Sequence, residues 1–175
     1  MLNTIFLIGY MGAGKSVVGK LLSQINGFNF YDLDEYIEAK EGKKVSEIFN
    51  ENNEVYFRKI ENKYLYEISL LKENKIISTG GGTPCFQNNF KIINESPNTT
   101  SIYLKANLDT LIKRLKDSVS KRPLISHLND EFKLKEFITK HLFERSYYYE
   151  NAKIKISTDN LNPREITQLI TSKLA

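Results

Sequence analysis

The sequence comprises 175 residues, of which 41% are hydrophobic and 26% charged, values typical of one soluble globular domain with a sizeable core. Its 25 basic and 21 acidic residues leave a net charge of only +4 without blocks of like charge, which argues against a nucleic-acid or membrane surface. A single cysteine excludes a disulfide framework, and because no signal peptide or membrane-length apolar run is visible, we expect a cytoplasmic protein.

Strands and helices alternate along the whole chain. Short β-rich apolar runs predict strands, and apolar residues three and four apart predict helices. In chain order the pattern predicts strand 4–8, a glycine loop 9–16, helix 17–25, strand 28–31, helices 33–40, 45–50 and 54–71, strand 75–78, helix 87–94, strand 101–104, helix 108–116, an aperiodic loop 117–129, helix 131–149, strand 153–157 and a last helix capped by Asn162. This alternation favours a three-layer α/β/α sandwich with a five-stranded parallel sheet, in a single domain spanning residues 1–175. Ligands of such sheets bind at the carboxyl ends of the strands.

The first glycine cluster follows the first predicted strand and matches a phosphate-binding pattern. Residues 9–16, GYMGAGKS, fit G-x-x-x-x-G-K-[ST], the P-loop. Glycines let backbone amides approach phosphate oxygens, and the following helix presents its positive end. Lys15 is expected to reach the β- and γ-phosphates, and the Ser16 hydroxyl to bind Mg²⁺. The motif predicts binding of a nucleoside triphosphate but does not identify the phosphoryl acceptor.

Two aspartates follow the second predicted strand. If the chain stays extended at Asp32 and Asp34, residues two apart point to the same side, and both carboxylates face one cleft. One carboxylate there can hold Mg²⁺ through water, and the other can accept the proton of an attacking hydroxyl. Taken alone, the D-x-D pattern more often reflects a helix cap beside a solvated side chain. The P-loop one strand away favours the functional interpretation.

Only five of the 25 basic residues are arginine, so each arginine calls for a reason. The planar guanidinium binds carboxylate or phosphate at two points, which lysine does not. Arg58 has Glu61 at helical spacing, so a surface ion pair is the simplest interpretation. For Arg145 the simplest interpretation is a solvated position on the surface of a helix. Arg122 lies in the aperiodic loop, where a cation is suited to close over a transferring phosphate.

Taken together, the motifs resemble those of the shikimate kinase family, in the nucleoside-monophosphate-kinase-like group of P-loop kinases. The resemblance spans essentially the whole chain, in the family's order and at close to its spacing. It rests on IFLIGYMGAGKSVVGKLLS, FYDLDEYIE, VSEIF, FRKIE, ISTGGGT, LIKRL, KRPLI and ERSYYYENA. It implies Mg-dependent transfer of the γ-phosphoryl group of ATP to the 3-hydroxyl of shikimate, giving shikimate 3-phosphate and ADP. That reaction belongs to the biosynthesis of chorismate and the aromatic amino acids.

For the nucleotide, the resemblance implies contacts from the glycine loop, the start of the following helix and two arginines. Lys15 would act in catalysis on the transferring phosphate. Arg122 would do so too, as part of a lid at about residues 116–129 that contacts phosphate, whereas Arg114 would stack on adenine. The other nucleotide-binding positions that the resemblance implies are Gly12, Ala13, Gly14, Ser16 and Val17.

For the acceptor, the resemblance implies a substrate-binding region at residues 32–62, together with the second glycine cluster. Asp34 would bind the shikimate hydroxyls and orient or deprotonate the attacking one. One Mg²⁺ ion would be held by Ser16 and, through water, by Asp32. ATP and shikimate would be the binding partners of a monomer, without nucleic acid or membrane. The carboxylate and ring of shikimate would contact two arginines, three glycines and two phenylalanines, namely Arg58, Arg145, Gly80, Gly81, Gly82, Phe49 and Phe57.

Some residues depart from the family pattern or have no assigned role. Many relatives carry an arginine shortly before the last helix, whereas residues 159–162 read DNLN here, so adenine contacts there must differ. Phosphoryl transfer does not need Cys85, and the segment TPCF at residues 83–86 is not assigned. His127 and His141 are interpreted as surface residues, because nothing pairs with them at metal-ligand spacing.

Three other functions remain open. A kinase of the same fold that acts on gluconate or a nucleoside monophosphate is disfavoured by the arginine pair with Asp34. A nucleotide-binding relative without catalysis is expected to lack Lys15, Asp34 or the lid arginine, and all three are present. A basic nucleic-acid binder is supported by no specific motif.

Overall fold

The structure is a computed structural model that describes residues 3–116 and 130–174. Arg122 and nearly all of the predicted lid lie outside the described residues.

The strands are β1 (Thr4–Ile8), β2 (Asn29–Asp32), β3 (Lys75–Ser78), β4 (Thr99–Lys105) and β5 (Ile154–Ser157). The helices are α1 (Lys15–Asn26), α2 (Leu33–Glu41), α3 (Val45–Glu51), α4 (Glu54–Ser69), α5 (Asn89–Asn94), α6 (Leu108–Lys116), α7 (Glu131–Glu150) and α8 (Pro163–Leu174), with a 3₁₀ turn at Thr83–Cys85.

The five strands form one parallel sheet in the order β2-β3-β1-β4-β5. Central strands of such sheets are covered on both faces and therefore read as continuous apolar runs. The residues of β1, TIFLI, are all buried, and so are those of β3, KIIS. The predicted three-layer α/β/α sandwich with a five-stranded parallel sheet is confirmed.

The two faces of the sheet carry separate apolar layers because successive side chains of a strand point to opposite sides. Ile5 and Leu7 of β1 pack against the layer formed by α1 and α8. Phe6 and Ile8 pack against the opposite layer, which contains α2 to α7. The core residues of that larger layer include Tyr10, Leu33, Phe57, Leu111, Leu115 and Tyr149.

Element boundaries differ from the predicted ones by at most two residues. Helix α1 begins at Lys15, earlier than predicted, because Gly14 adopts a left-handed conformation at the cap position (φ 96°). The predicted cap of α8 is present: the Asn162 side chain accepts hydrogen bonds from the backbone amides of Arg164 and Glu165, at 2.9 and 3.1 Å. Within the two described ranges, every helix is too short or too polar to cross a membrane.

The strand order places the two glycine clusters side by side. The chain leaves β1 toward the β2 edge of the sheet, whereas it leaves β3 toward β4 on the far side of β1. Connections that diverge from adjacent strands open a crevice at their carboxyl ends. Residues 9–16 follow β1 and residues 79–82 follow β3, so both clusters border this crevice.

Candidate active site

A cavity of about 400 Å³ lies at the carboxyl ends of β1, β2 and β3. Its wall contains most of the nucleotide-binding and acidic residues that the sequence predicted. Polar groups that converge on one concave site are typical of a ligand-binding pocket. The lining residues are Met11, Gly12, Gly14, Lys15, Ser16, Val17, Asp32, Asp34, Ser78, Thr79, Gly80, Gly81 and Arg114.

The first glycine loop is held in a conformation that few other residues adopt. Gly12 and Gly14 have φ angles of 83° and 96°, in the left-handed region. The backbone amide of Ala13 donates to the Tyr10 carbonyl at 3.1 Å and closes a turn, so Ala13 itself is buried instead of lining the cavity. The Lys15 ammonium donates to the carbonyls of Gly9 and Tyr10, at 2.8 and 3.0 Å. The lysine is therefore bonded to the loop that it is predicted to serve.

Ser16 and Asp32, the two predicted metal ligands, contact each other. The Ser16 hydroxyl donates to Asp32 Oδ2 at 2.6 Å, and the oxygen of the Ser78 hydroxyl lies 3.4 Å from the Ser16 oxygen. Ser78 was not expected in the site from the sequence, although it is paired in register with Asp32 across β3 and β2. The register between β2 and β3 would have indicated Ser78, but local sequence does not show which residues of two strands lie opposite each other.

The helix predicted at residues 33–40 is confirmed, and it excludes the extended geometry that was the condition for Asp32 and Asp34 pointing to the same side. Asp32 is the cap of α2 and accepts the backbone amide of Asp34 at 3.1 Å, so Asp34 already lies in the first helical turn. Both carboxylates nevertheless line the same cavity. The capping and functional interpretations of this pair are therefore compatible.

Asp34 lies in a site that disfavours its negative charge. Asp34 is half-buried where it lines the cavity. Burial, followed by the negative charges of Asp32 and Glu61, raises its pKa to about 7, against the opposing effect of Lys15 and Arg58. A carboxyl group that titrates near neutral pH is suited to act as a general base.

The pair formed by Arg58 and Glu61 is buried, so the expectation of a surface ion pair is wrong. Glu61 is fully buried and accepts from Arg58 Nη1 at 2.8 Å and from the Thr83 hydroxyl at 2.6 Å. Arg58 also pairs with Glu54 at 3.1 Å and lies over the Phe86 ring at 4.1 Å from its centroid. These contacts give roles to Glu61 and to two positions of the previously unassigned TPCF segment.

The triple glycine owes its composition to close packing. None of Gly80, Gly81 and Gly82 has a positive φ. A Cβ atom on Gly82 would lie 2.8 Å from Arg58 Nη2, and one on Gly81 would lie 3.3 Å from Arg145 Nη1. Gly81 and Gly82 therefore let two arginine side chains approach the backbone beside the cavity. A Cβ atom at either position would occupy the space between the backbone and the guanidinium.

Arg145, late in α7, is held differently from Arg58. Among the described residues no carboxylate lies within ion-pair distance of it, whereas Arg58 has two such partners. Its guanidinium lies 5.4 Å from the centre of the Tyr10 ring and 3.4 Å from His141 Nδ1. The interpretation of His141 as a surface residue is therefore wrong, because it is half-buried and bonded to Tyr10.

The remaining predicted residues lie around the cavity or outside the described residues. Arg114 donates to the carbonyls of Gly12 and Thr158, at 3.2 and 2.8 Å, and so connects the loop to the end of β5. Phe49 and Phe57 stack on each other with centroids 4.5 Å apart, and neither lines the cavity. Arg122 is among the residues that the structure does not describe.

Comparison with known proteins identifies one family that matches nearly the whole chain. A family model described as shikimate kinase matches residues 11–175. The chain is 45% identical over 174 residues to a shikimate kinase of Flavobacterium johnsoniae, an alignment covering 99% of this chain and 100% of the relative. The structure is similar to that of shikimate kinase from Bacteroides thetaiotaomicron, with a TM-score of 0.91, 34% identity and 99% of each chain covered. It is also similar to shikimate kinase from Acinetobacter baumannii in complex with shikimate, with a TM-score of 0.89, 28% identity, and 99% of this chain and 93% of that chain covered.

Proposed function

This chain belongs to the shikimate kinase family, and on that premise we propose that it transfers the γ-phosphoryl group of ATP to the 3-hydroxyl of shikimate in the cavity between its two glycine clusters. The observation that carries the assignment of residues is the position of Asp34. Its carboxyl group faces the cavity and interacts electrostatically with Lys15 of the nucleotide loop and with Arg58 beside the triple glycine. We therefore assign Asp34 to the point where ATP and shikimate meet.

The nucleotide half of the site is formed by the loop at residues 9–16 and the start of α1. Backbone amides and the positive end of α1 would bind the phosphates, with Lys15 on the β- and γ-phosphates. Gly12, Gly14 and Val17 line this part of the cavity. We propose that adenine binds beside Arg114. We also propose that Arg122 contacts the phosphates when the lid closes.

The acceptor half supplies cations for a carboxylate and a base for a hydroxyl. Arg58 and Arg145 flank the triple glycine, so a carboxylate bound there would meet planar guanidinium groups from two sides. Phe57 lies beneath the Arg58 guanidinium, at 5.4 Å from its ring centre, and with Phe49 it would support the binding region from below the clamp.

The transfer requires one proton acceptor. The attacking shikimate oxygen forms a bond to the γ-phosphorus, the bond from that phosphorus to the β–γ bridging oxygen breaks, and ADP leaves. The hydroxyl proton passes to Asp34, whose pKa near 7 matches this role at neutral pH. Lys15 would offset the negative charge on the transferring group.

The residues at the end of β2 fit a magnesium ion. Ser16 and Asp32 present hydroxyl and carboxylate oxygens that meet at 2.6 Å, and Ser78 adds a third oxygen nearby. Within the described residues no group of three His, Cys, Asp or Glu is arranged to hold a metal. Such a sparse oxygen site suits Mg²⁺, which retains water and binds substrate phosphates. When bound, the ion would supply positive charge to the phosphates.

The proposal is tested by following ADP release with Mg-ATP and parallel acceptors. We expect turnover with shikimate and none with gluconate or nucleoside monophosphates, and phosphorus NMR of the product would identify the esterified hydroxyl. Turnover with one of the other acceptors in the absence of turnover with shikimate would refute the proposal.

Substitution of Gly81 by alanine should weaken shikimate binding more than it weakens the fold. The backbone at Gly81 has an ordinary φ, but the new Cβ would lie 3.3 Å from Arg145 Nη1 and 3.4 Å from the Met11 amide. The guanidinium has to move, so we expect the shikimate KM to rise about tenfold, which corresponds to ~1.4 kcal/mol. Steady-state kinetics and thermal unfolding measure the two effects; an unchanged KM with a lowered Tm would contradict the prediction.

We further propose that residues 1–175 form one domain that acts as a cytoplasmic monomer, with the substrate-binding region at 32–62 and the lid at about 116–129. The single cysteine and the mild net charge support a reduced, non-membrane setting. Light scattering at enzyme concentrations used in the assay tests the monomer, and a mass of twice 20.3 kDa would contradict it.

A further inference from the structure

One ring nitrogen of His141 faces two different polar groups beside the acceptor site. Nδ1 lies 3.1 Å from the Tyr10 hydroxyl and 3.4 Å from Arg145 Nη2. His141 is one turn before Arg145 on α7, and its ring packs on Phe137 with centroids 4.1 Å apart. The histidine thus connects the nucleotide loop, through Tyr10, to the arginine beside the triple glycine.

The chemistry of these groups determines which atom donates. A guanidinium has only N–H donors, so the Nδ1 atom that faces Arg145 must offer its lone pair. This hydrogen bond assigns the neutral tautomer with its proton on Nε2, in which the Tyr10 hydroxyl and the Arg145 guanidinium share the single lone pair of Nδ1. Burial, followed by the charge of Arg145 and then that of Lys140, lowers the pKa of His141, which supports the neutral form; Glu144 and Glu54 oppose this effect.

Arg145 has few other constraints on its position. Within the described part of the chain it has no carboxylate partner, and its contacts are the Tyr10 ring, His141 and the hydroxyl of Tyr149, which itself donates to the Gly81 carbonyl. An arginine without a carboxylate partner keeps its charge for a ligand, but it needs another group to fix its rotamer. Two side-chain acceptors lie in a suitable place: the Tyr149 oxygen, on the Gly81 side of the guanidinium, and the His141 Nδ1 lone pair, on the Tyr10 side.

We propose that His141, oriented by the Tyr10 hydroxyl, is a positioning residue that holds Arg145 ready for the carboxylate of shikimate. This inference rests on the proposed function, because it takes shikimate as the ligand of Arg145. His141 itself touches neither substrate. Its contribution is the hydrogen-bond acceptor that directs the guanidinium toward Gly81, where the two groups already lie close together.

Two substitutions of His141 separate the acceptor from the ring. His141→Asn retains an acceptor near the Nδ1 position but loses the aromatic ring, whereas His141→Phe retains the ring and its packing but loses the acceptor. We expect His141→Phe to raise the shikimate KM roughly tenfold, with kcat and the ATP KM nearly unchanged. His141→Asn should stay close to the unmodified enzyme. A purely structural role for the ring predicts the reverse order.

Arg145 must mediate the effect, so a double-variant comparison is required. In an Arg145→Met background, His141→Phe should produce no further change in the shikimate KM. Ser146→Ala, on the exposed face of the same helix, controls for disturbance of α7. Should His141→Phe fail to fold because it leaves the Tyr10 hydroxyl unpaired, the Tyr10→Phe/His141→Phe double variant replaces it.

The outcomes are distinct. A KM for His141→Phe equal to that of the unmodified enzyme, or equal rises for the Asn and Phe variants, would overturn the positioning role while leaving the proposed function intact. Equal losses in kcat and in both KM values would also overturn it, since they indicate a structural defect. Failure of the unmodified enzyme to bind shikimate in calorimetry would overturn the proposed function and this inference with it.

Discussion

Replacement of Asp34 by asparagine is expected to lower kcat by about 10²–10⁴-fold and at the same time to stabilise the fold at neutral and higher pH. The loss of rate follows because an amide does not accept the proton of the attacking hydroxyl. The gain in stability follows because burial and two neighbouring carboxylates make the ionised Asp34 unfavourable in the folded state. Function and stability therefore oppose each other at this residue.

The pH dependence of stability has a definite sign. The carboxyl of Asp34 has a pKa of about 7 in the folded protein, whereas an exposed aspartate has a pKa of 3.8. Between these values the folded state holds a proton that the unfolded state has lost, so the contribution of Asp34 to stability falls as pH rises from about 4 to about 7. Three pKa units correspond to about 4 kcal/mol, which we take as the upper bound of the gain for Asp34→Asn at pH 8.

Chemical denaturation at a series of pH values measures this effect. The stability difference between Asp34→Asn and the unmodified protein should be largest at pH 8 and vanish near pH 4. Asp109→Asn, at an exposed position of α6, is the control for removing a carboxylate away from the cavity. In the unmodified enzyme, kcat/KM for shikimate should also rise with pH through about 7. If kcat/KM of the Asp34→Asn variant still falls at acid pH, the titration of Asp34 is not the cause of that fall.

Replacement of Arg58 by methionine is expected to damage both shikimate binding and the fold, for separable reasons. The loss of a two-point contact to a carboxylate should raise the shikimate KM by about 10²-fold while leaving the ATP KM nearly unchanged. The fold suffers because the fully buried Glu61 loses its cation, and removal of one partner of a buried pair typically costs about 3–5 kcal/mol.

A double variant separates these two effects. Arg58→Met/Glu61→Gln removes the orphaned charge and retains an oxygen that accepts the Thr83 hydroxyl, so most of the stability should return. The shikimate KM should stay high because the cation is still absent. Lys44→Met, which breaks the exposed ion pair with Glu38, should leave the stability nearly unchanged. Recovery of the KM in the double variant would contradict a direct role for Arg58 in binding.

Much of the molecule was predictable because it depends on local pattern. The P-loop is defined by eight consecutive residues, and the alternation of apolar runs at spacings of two and 3.6 residues predicts a parallel sheet with helices on both faces. The carboxyl ends of parallel strands share one edge of the sheet, so the sequence placed Lys15, Asp34 and Gly80 at that edge without any distance being known.

Through-space surroundings were not predictable from the sequence. The three-residue spacing of Arg58 and Glu61 correctly indicated a pair, but Thr83 and Phe86, which bury that pair, come from another part of the chain. His141 appeared unremarkable for the same reason, since its partner Tyr10 is 131 positions away.

By itself, the sequence determined the order of the elements, the phosphate loop and the set of residues that carry charge, because each of these depends on neighbours along the chain. The tertiary structure alone decided which of those charges are buried. Burial and the proximity of other charges set the pKa of Asp34 and the cost of removing Arg58. These quantities depend on desolvation and distance, which arise only when segments far apart in sequence pack together.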